Sequence, residues 1–382
     1  MIYLDNAATS YPKPQAVIDA VKNSFADFGA NPGRSGHNLS VRTAMEIYEA
    51  RELLSDFFDG YGAEYVSFTL NCTHALNTAI KGILRAGDHC VISSLEHNSV
   101  ARPVQSLADS GLITYSVFDV GSTKEETLEN FKNAIKNNTK LCVVTAVSNV
   151  FGVILPLAEL GKIAQENGVF FFVDGAQGAG IIPISMKNMH IDCLCVPGHK
   201  GLLGPMGTGA LLHNNLDFSP IIQGGTGSKS FDLAQPSDFP DRLESGTLNV
   251  PGICGLKQGI RSVKSMGVSS IFDAENYACN LIFDGLKNIK GVTLYEDLRD
   301  KNSHAPLLSF NVRDMHSERV SAYLDKHFVA VRGGFHCAPL AHNFMGTKNS
   351  GAVRISPSYH TTKKDINILL NLIRKIAIDD FI

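Results

Sequence analysis

Lys200 stands in the stretch CVPGHKGLLGPMGTG, directly after the apolar run IDCLCVP and ahead of Gly201, Gly204 and Gly207. An apolar run of that length reads as a buried strand, and glycines behind it let the backbone approach a ligand closely. The spacing therefore sets an amine at a strand end. Four other strand-like runs end in groups of comparable interest. YVSFTL leads into NCTHALN with Thr73, CVISSL into EHNS with His97, CVVTAVS into Asn149, and VFFFV into DGAQGAG with Asp174 and Gln177. His199 sits immediately before the lysine.

In an open parallel sheet, ligands gather at the carboxyl ends of the strands. Thr73 is placed as an N-cap, where free amides suit a phosphate, or as a cap and nothing more. His97 reads equally as a hydrogen-bonded structural histidine, and Asp174 as a group tying down a turn. Together they match one ligand, pyridoxal 5'-phosphate, which needs a phosphate site, a stacking imidazole, a buried carboxylate for its ring nitrogen and a lysine amine for its aldehyde. A separate signal lies in RGGFHCAPL, where Cys337 stands between a histidine and an alanine–proline pair in a glycine-preceded loop. It reads as a nucleophile that His336 helps to ionise, or as an ordinary half-buried thiol. Seventeen residues on, 354 minus 337, Arg354 in AVRIS offers a guanidinium fork for a carboxylate or a strand-end salt bridge.

The elements that must position these groups follow from periodicity. PQAVIDAVKNSFADF carries a helical stripe, and Val41 to Phe58 reads as a second amphipathic helix. Short β-branched runs then alternate with helical stretches such as HALNTAIKGIL and PLAELGKIAQENG, the pattern of a mainly parallel sheet covered on both faces. Beyond ESGTLNVPG the pattern changes to long helices, APLLSFNV, a helix near Ser317–Lys326, AVRIS and a terminal helix. The expected class is α/β, with an N-terminal arm over 1–14 packing with the small domain, a large domain over 15–250, and a smaller α+β domain over 251–382 carrying the cysteine loop.

Composition narrows the function. Lys plus Arg is 34 and Asp plus Glu is 37, a net charge of -3, which gives no electrostatic reason to bind nucleic acid or an anionic membrane. No apolar run reaches the roughly 18–20 residues of a membrane span, and MIYLDNAATS lacks the plan of a secretion signal, so a cytoplasmic protein is expected. Eight cysteines at 72, 90, 142, 193, 195, 254, 279 and 337 show no disulfide framework. Cys193 and Cys195 lie two apart on a strand, one face with no second pair of ligands, so no metal is expected.

Taken in order, YLDNAATS, NPGRSGHNLS, EHNS, VSNVFG, VDGAQ, PGHKGLLGPMGTG, RLESGTLN and RGGFHCAPL span nearly the whole chain, and the set resembles the cysteine desulfurase family, pyridoxal-phosphate enzymes of the class V aminotransferase fold. The resemblance implies fold type I and a role for each matching position. Lys200 would bond the cofactor, Asp174 would pair with its ring nitrogen, and Gln177 would contact its phenolic oxygen. His97 would stack on the ring and Asn149 would sit near its edge. Thr73 and His199 would hold the phosphate, and Thr247 in ESGTLN would reach the phosphate of a neighbouring subunit, implying a homodimer. Arg354 would bind the substrate carboxylate, supported by Arg332 and by Asn31 of NPGRSGHNLS. Cys337 would carry sulfur as a persulfide.

By the same resemblance, Lys200 removes the Cα proton of L-cysteine, the Cys337 thiolate attacks the substrate sulfur, and L-alanine leaves. The final acceptor, a protein among others, is open, as is the choice among iron–sulfur cluster assembly, tRNA thiolation and cofactor synthesis. Two positions depart from the family. Pro197 stands where a phosphate-binding serine is usual and supplies neither hydroxyl nor amide, and Cys72 stands where a threonine is common. A selenocysteine lyase or other β-lyase of the same fold, and a sulfur-relay scaffold with little turnover, are the competing readings.

Overall fold

The computed structural model describes residues 1–32, 36–295 and 303–378. Part of NPGRSGHNLS, residues 33–35, and the end of the 251–382 segment lie outside the described residues.

A two-residue strand β1 (Ile2–Tyr3) opens the chain, followed by helices α1 (Gln15–Asp27) and α2 (Asn38–Phe57). Strands β2 (Val66–Thr69), β3 (His89–Ser93), β4 (Thr114–Phe118), β5 (Thr139–Thr145), β6 (Phe170–Asp174), β7 (Cys193–Pro197) and β8 (Gly209–His213) form one seven-stranded sheet in the order β2-β8-β7-β6-β5-β3-β4. Helices α3 (Cys72–Ile83), α4 (Asn98–Asp109), α5 (Lys124–Ala134) and α6 (Leu157–Glu166) lie between its strands. Strand β8 pairs antiparallel with both neighbours, while β3 to β7 pair in parallel. Hence β2, β3, β5, β6 and β7 all present their carboxyl ends at one edge.

Alternation along the strands builds two cores, one on each face. Cys142, Val144, Phe171, Val173, Leu194 and Val196 pack on one side. Leu141, Val143, Phe172, Cys193 and Cys195 pack on the other, against α3 and α4. Each such apolar side chain is worth roughly 1.5–3 kcal/mol when buried. Cys193 and Cys195 thus share a face, as period two requires, and are fully enclosed.

The third core is formed by the C-terminal elements α8 (Val268–Lys287), β9 (Val292–Leu294), β10 (Leu308–Val312), α9 (Ser317–Lys326), β11 (Val329–Ala330), β12 (Arg332–Gly334), β13 (Ala352–Ile355) and α11 (Lys363–Ile378), whereas α10 (Pro339–Phe344) packs Ala341 into the large-sheet core. Four of the strands make an antiparallel sheet, β12-β13-β10-β9. Helix α7 (Val250–Met266) precedes them but buries Val250, Ile253, Leu256 and Ile260 in the large-sheet core. Gly267, with a positive φ of 84°, separates α7 from α8, and Val263 and Ile271 pack together across it. Strand β1 pairs in parallel with β11, and Leu4 lies in the C-terminal core.

Candidate active site

Asp174 ends β6, fully buried, in register with Thr145 of β5 and Cys195 of β7. Its Oδ1 accepts a hydrogen bond from the Ala176 amide at 2.9 Å and lies 3.4 Å from Cys72 Sγ. Cys72 also lies 3.4 Å from the Cys195 carbonyl, so its thiol forms a floor beneath the carboxylate. Burial and the Asp174 charge push that thiol well above its ordinary pKa, which keeps it neutral. Lys200 follows β7 in a turn, and its amine has no hydrogen-bond partner among the described residues. Burial lowers its pKa, Arg354 lowers it further, and Asp174 opposes them.

His97 is the N-cap of α4, with Nδ1 3.0 Å from the Ser99 amide. Accepting there leaves the proton of the neutral ring on Nε2. Burial lowers its pKa, with Asp174 opposing. Glu96, its neighbour, was no candidate from sequence, yet it is completely buried, taking 2.5 Å and 2.8 Å hydrogen bonds from Ser93 Oγ and the Thr145 amide. Burial raises its pKa to about 8, and Asp174 adds to the rise. Among the serines, His97 and Asn98 that surround it in CVISSLEHNS, an acid gives no signal of enclosure.

Thr73 is not an N-cap. Asn71 is, its side chain accepting from the His74 amide at 2.9 Å, and Thr73 is the second residue of α3. The helix therefore starts two residues earlier than expected, at Cys72, with Asn71, a residue type that ranks above threonine as a cap, in the capping position. The Cys72 and Thr73 amides have no partner among the described residues, as the first turn of a helix leaves its donors free. His199 Nδ1 is buried and unpaired, and burial lowers the ring's pKa to about 4. Pro197 closes β7 opposite Gly209 and adds no donor. Gln177 donates from Nε2 to the Ala7 carbonyl at 2.9 Å.

The Cys337 loop is pinned to this same edge. The Cys337 carbonyl accepts from the Asn98 amide at 2.7 Å, beside His97, and the His336 carbonyl accepts from Asn149 Nδ2 at 2.8 Å. Asn149 Oδ1 stays buried and unpaired. His336 and Cys337 have φ of 50° and 56°, consecutive left-handed residues. Cys337 is exposed, whereas the other seven cysteines are buried. His336 cannot supply a positive charge to the thiol, since burial and Arg354 hold its pKa far below the usual value, and its Nε2 faces the Arg332 carbonyl at 3.2 Å. Arg354 is buried on β13, with Nη1 2.8 Å from the Asn149 carbonyl, Nη2 2.7 Å from Asp5 Oδ1, and Nε unpaired. Arg332 lies opposite it in register, and its guanidinium makes no hydrogen bond among the described residues.

Two expected residues lie apart from this cluster. Asn31 is exposed over a cavity it shares with Arg51 and Glu244, and Thr247 is exposed over another shared with His74 and Ser245. Neither lines the cavity beside Lys200. Among the described residues, no group of three or more metal-ligating side chains comes together.

The chain belongs to the Aminotransferase class-V family, whose model matches residues 2–369. A "Probable cysteine desulfurase" from Pyrococcus abyssi is 33% identical, covering 99% of this chain and 94% of that protein. One from Methanothermobacter thermautotrophicus is 31% identical, with 98% and 94% covered. The fold superposes on the apo structure of a cysteine desulfurase from Thermococcus onnurineus with a TM-score of 0.90 at 33% identity, covering 98% of this chain and 94% of that one. Within the class V family the chain thus belongs with the cysteine desulfurases.

Proposed function

We propose that the chain converts L-cysteine to L-alanine with pyridoxal phosphate as cofactor, carrying the sulfur as a persulfide on Cys337. The observation that carries this reading is the pinning of the one exposed cysteine beside His97, at the strand edge that also bears the unpaired Lys200 amine and buried Asp174. The donor set suits that cofactor. A buried carboxylate, an amine without a partner, free first-turn amides on α3, and the unpaired polar atoms of His199 and Asn149 all await one ligand. Asp174 would hold the ring nitrogen, His97 the ring face, and Gln177 and Asn149 its edge. Thr73, His199 and the α3 amides would hold the phosphate, joined by the partner subunit's Thr247.

When bound, pyridoxal phosphate supplies an electron-accepting ring that stabilises negative charge at the substrate Cα. Lys200 supplies the base: an amine with a lowered pKa is neutral often enough to take a proton at Nζ and return it. Arg354 and Arg332 meet the substrate carboxylate, Arg332 with an uncommitted guanidinium and Arg354 held in place by Asp5 and Asn149. Cys337 thiolate then bonds the substrate sulfur as the carbon–sulfur bond breaks. The carbon keeps the electron pair and takes a proton, which leaves L-alanine and a persulfide. A homodimer and a cytoplasmic setting complete the reading, supported by exposed apolar residues on α2 and by seven buried free thiols.

Peptide mass spectrometry after a brief L-cysteine pulse tests it. Cys337 is expected to gain one sulfur atom while alanine forms. Alanine with unmodified Cys337 in the absence of reductant would reassign the nucleophile. Neither product would favour a lyase acting on another substrate, or a scaffold.

A further inference from the structure

The carbonyl oxygen of His199, one peptide bond before Lys200, is crowded with donors from the N-terminal arm. Lys13 Nζ lies 2.7 Å from it, Thr9 Oγ1 3.1 Å, the Ser10 amide 3.1 Å and Ser10 Oγ 3.2 Å. Ser10 Oγ is also 3.0 Å from the Lys200 carbonyl and takes a 2.7 Å bond from Lys13 Nζ. The Lys13 bond is the shortest of the contacts to His199 and the only one with a charged donor, so it is the strongest. No carboxylate pairs with Lys13 among the described residues. A half-buried ammonium spent on a backbone carbonyl is costly to place, and the carbonyl it holds is the one that mounts Lys200.

The same arm grips the rest of the site. Asp5 holds Arg354, the Ala7 amide donates to Ser356 Oγ at 2.8 Å next to β13, and the Ala7 carbonyl takes the Gln177 amide. Residues 5–13 therefore tie the Lys200 turn of the large sheet to β13 of the small one.

We propose that Lys13 is a positioning residue for Lys200: its ammonium anchors the peptide that carries the reactive amine, making the arm a brace across both halves of the site. This rests on the assignment of Lys200 as the base. Burial lowers the Lys13 pKa to about 8, and the titratable group of the turn that feels its charge is His199, while Thr9 and Ser10 of the arm are uncharged. A neutral amine still donates, but without charge assistance the bond is about half as strong. The turn should loosen as pH rises through that value.

The test uses full-length Lys13→Met and Lys13→Arg proteins. In hydrogen exchange at constant pH, K13M should speed exchange across residues 196–204 about tenfold, as expected for one lost charge-assisted bond, and leave β5 unchanged. In holoenzyme, alanine formation by the parent protein should decline as pH rises through about 8. K13R should move that decline upward, because guanidinium stays charged to above about pH 12. K13M should run slower and without the decline. Wild-type exchange at the turn in K13M, or a pH profile in K13R identical to the parent's, overturns the proposal. A parent protein that forms no alanine would refute the desulfurase reading while the exchange result still decides the role of Lys13. A poorly folding K13M would leave the K13R profile to decide.

Discussion

The pairing of a buried carboxylate with a second buried acid separates residues that sequence exposes from those it hides. Asp174 and Lys200 were legible because their types are unusual at the end of an apolar run. Glu96 was not, since nothing in a sequence says that an acid will be wholly enclosed and kept protonated by burial. Its ordinary pKa of 4.5 is raised to about 8 in the fold, so between those values the folded chain holds a proton that the unfolded chain has released. Stability from this group is present below about pH 4.5 and drains away as pH rises through 8. Glu96→Gln mimics the protonated form and should lose none of it. Urea unfolding at about pH 5 and about pH 8 should show the gap between variant and parent moving in favour of the variant at the higher pH. Parallel behaviour at the two pH values would mean that Glu96 is ionised throughout. The misplaced cap at Thr73 has a simpler origin. NCT offers two residues able to cap, and the better of them, Asn71, takes the His74 amide.

At the level of elements, the alternation of strands and helices was readable because each run was long enough to show its period. Strand β8 was not, because GALLH follows the glycine-rich turn directly, with no helix between it and β7. Strand β1 has only two residues and gains its identity from a partner more than three hundred positions away. Nor could sequence show the clamp that holds β2 to the segment leading into Thr247. Arg51 and Glu244 form a buried, two-pronged ion pair at 2.7 and 2.6 Å, with Arg51 also on the Val66 carbonyl and Glu244 taking the Phe68 amide at 2.5 Å. Removing one partner strands the other charge in the core, which costs about 3–5 kcal/mol. Glu244→Ala should therefore lower the unfolding free energy by an amount of that order, measured by urea or guanidinium denaturation. A loss under about 1 kcal/mol, the range of a surface pair, would show that water reaches the guanidinium.

Across the whole molecule, the fold class was legible from the repeating pattern, whereas the core that each helix joins was not. Helix α7 packs into the large-sheet core and most of α8 into the C-terminal one, and proline and glycine content carry no information about that choice. The outer surface bears a further mark. Val41, Met45 and Tyr48 stand at i, i+4 and i+7 on α2, 48%, 59% and 54% exposed, and α1 adds Ile18 and Phe25. An apolar stripe of this kind on the surface suits a second copy of the chain. Sedimentation should find a dimer that Met45→Glu combined with Tyr48→Glu converts to monomer with unchanged circular dichroism. A monomeric parent protein would leave the stripe without that role and would deny each site a second chain's Thr247. The pinned Cys337 loop also governs how sulfur would leave. Two successive left-handed residues cost on the order of 1–2 kcal/mol each, and here the two carbonyls are latched to Asn98 and Asn149, past the carboxyl ends of the neighbouring strands β3 and β5. A thiol held that way is a landing stage rather than a crane: cargo waits at a fixed berth on the surface, and the receiving molecule must bring its own reach.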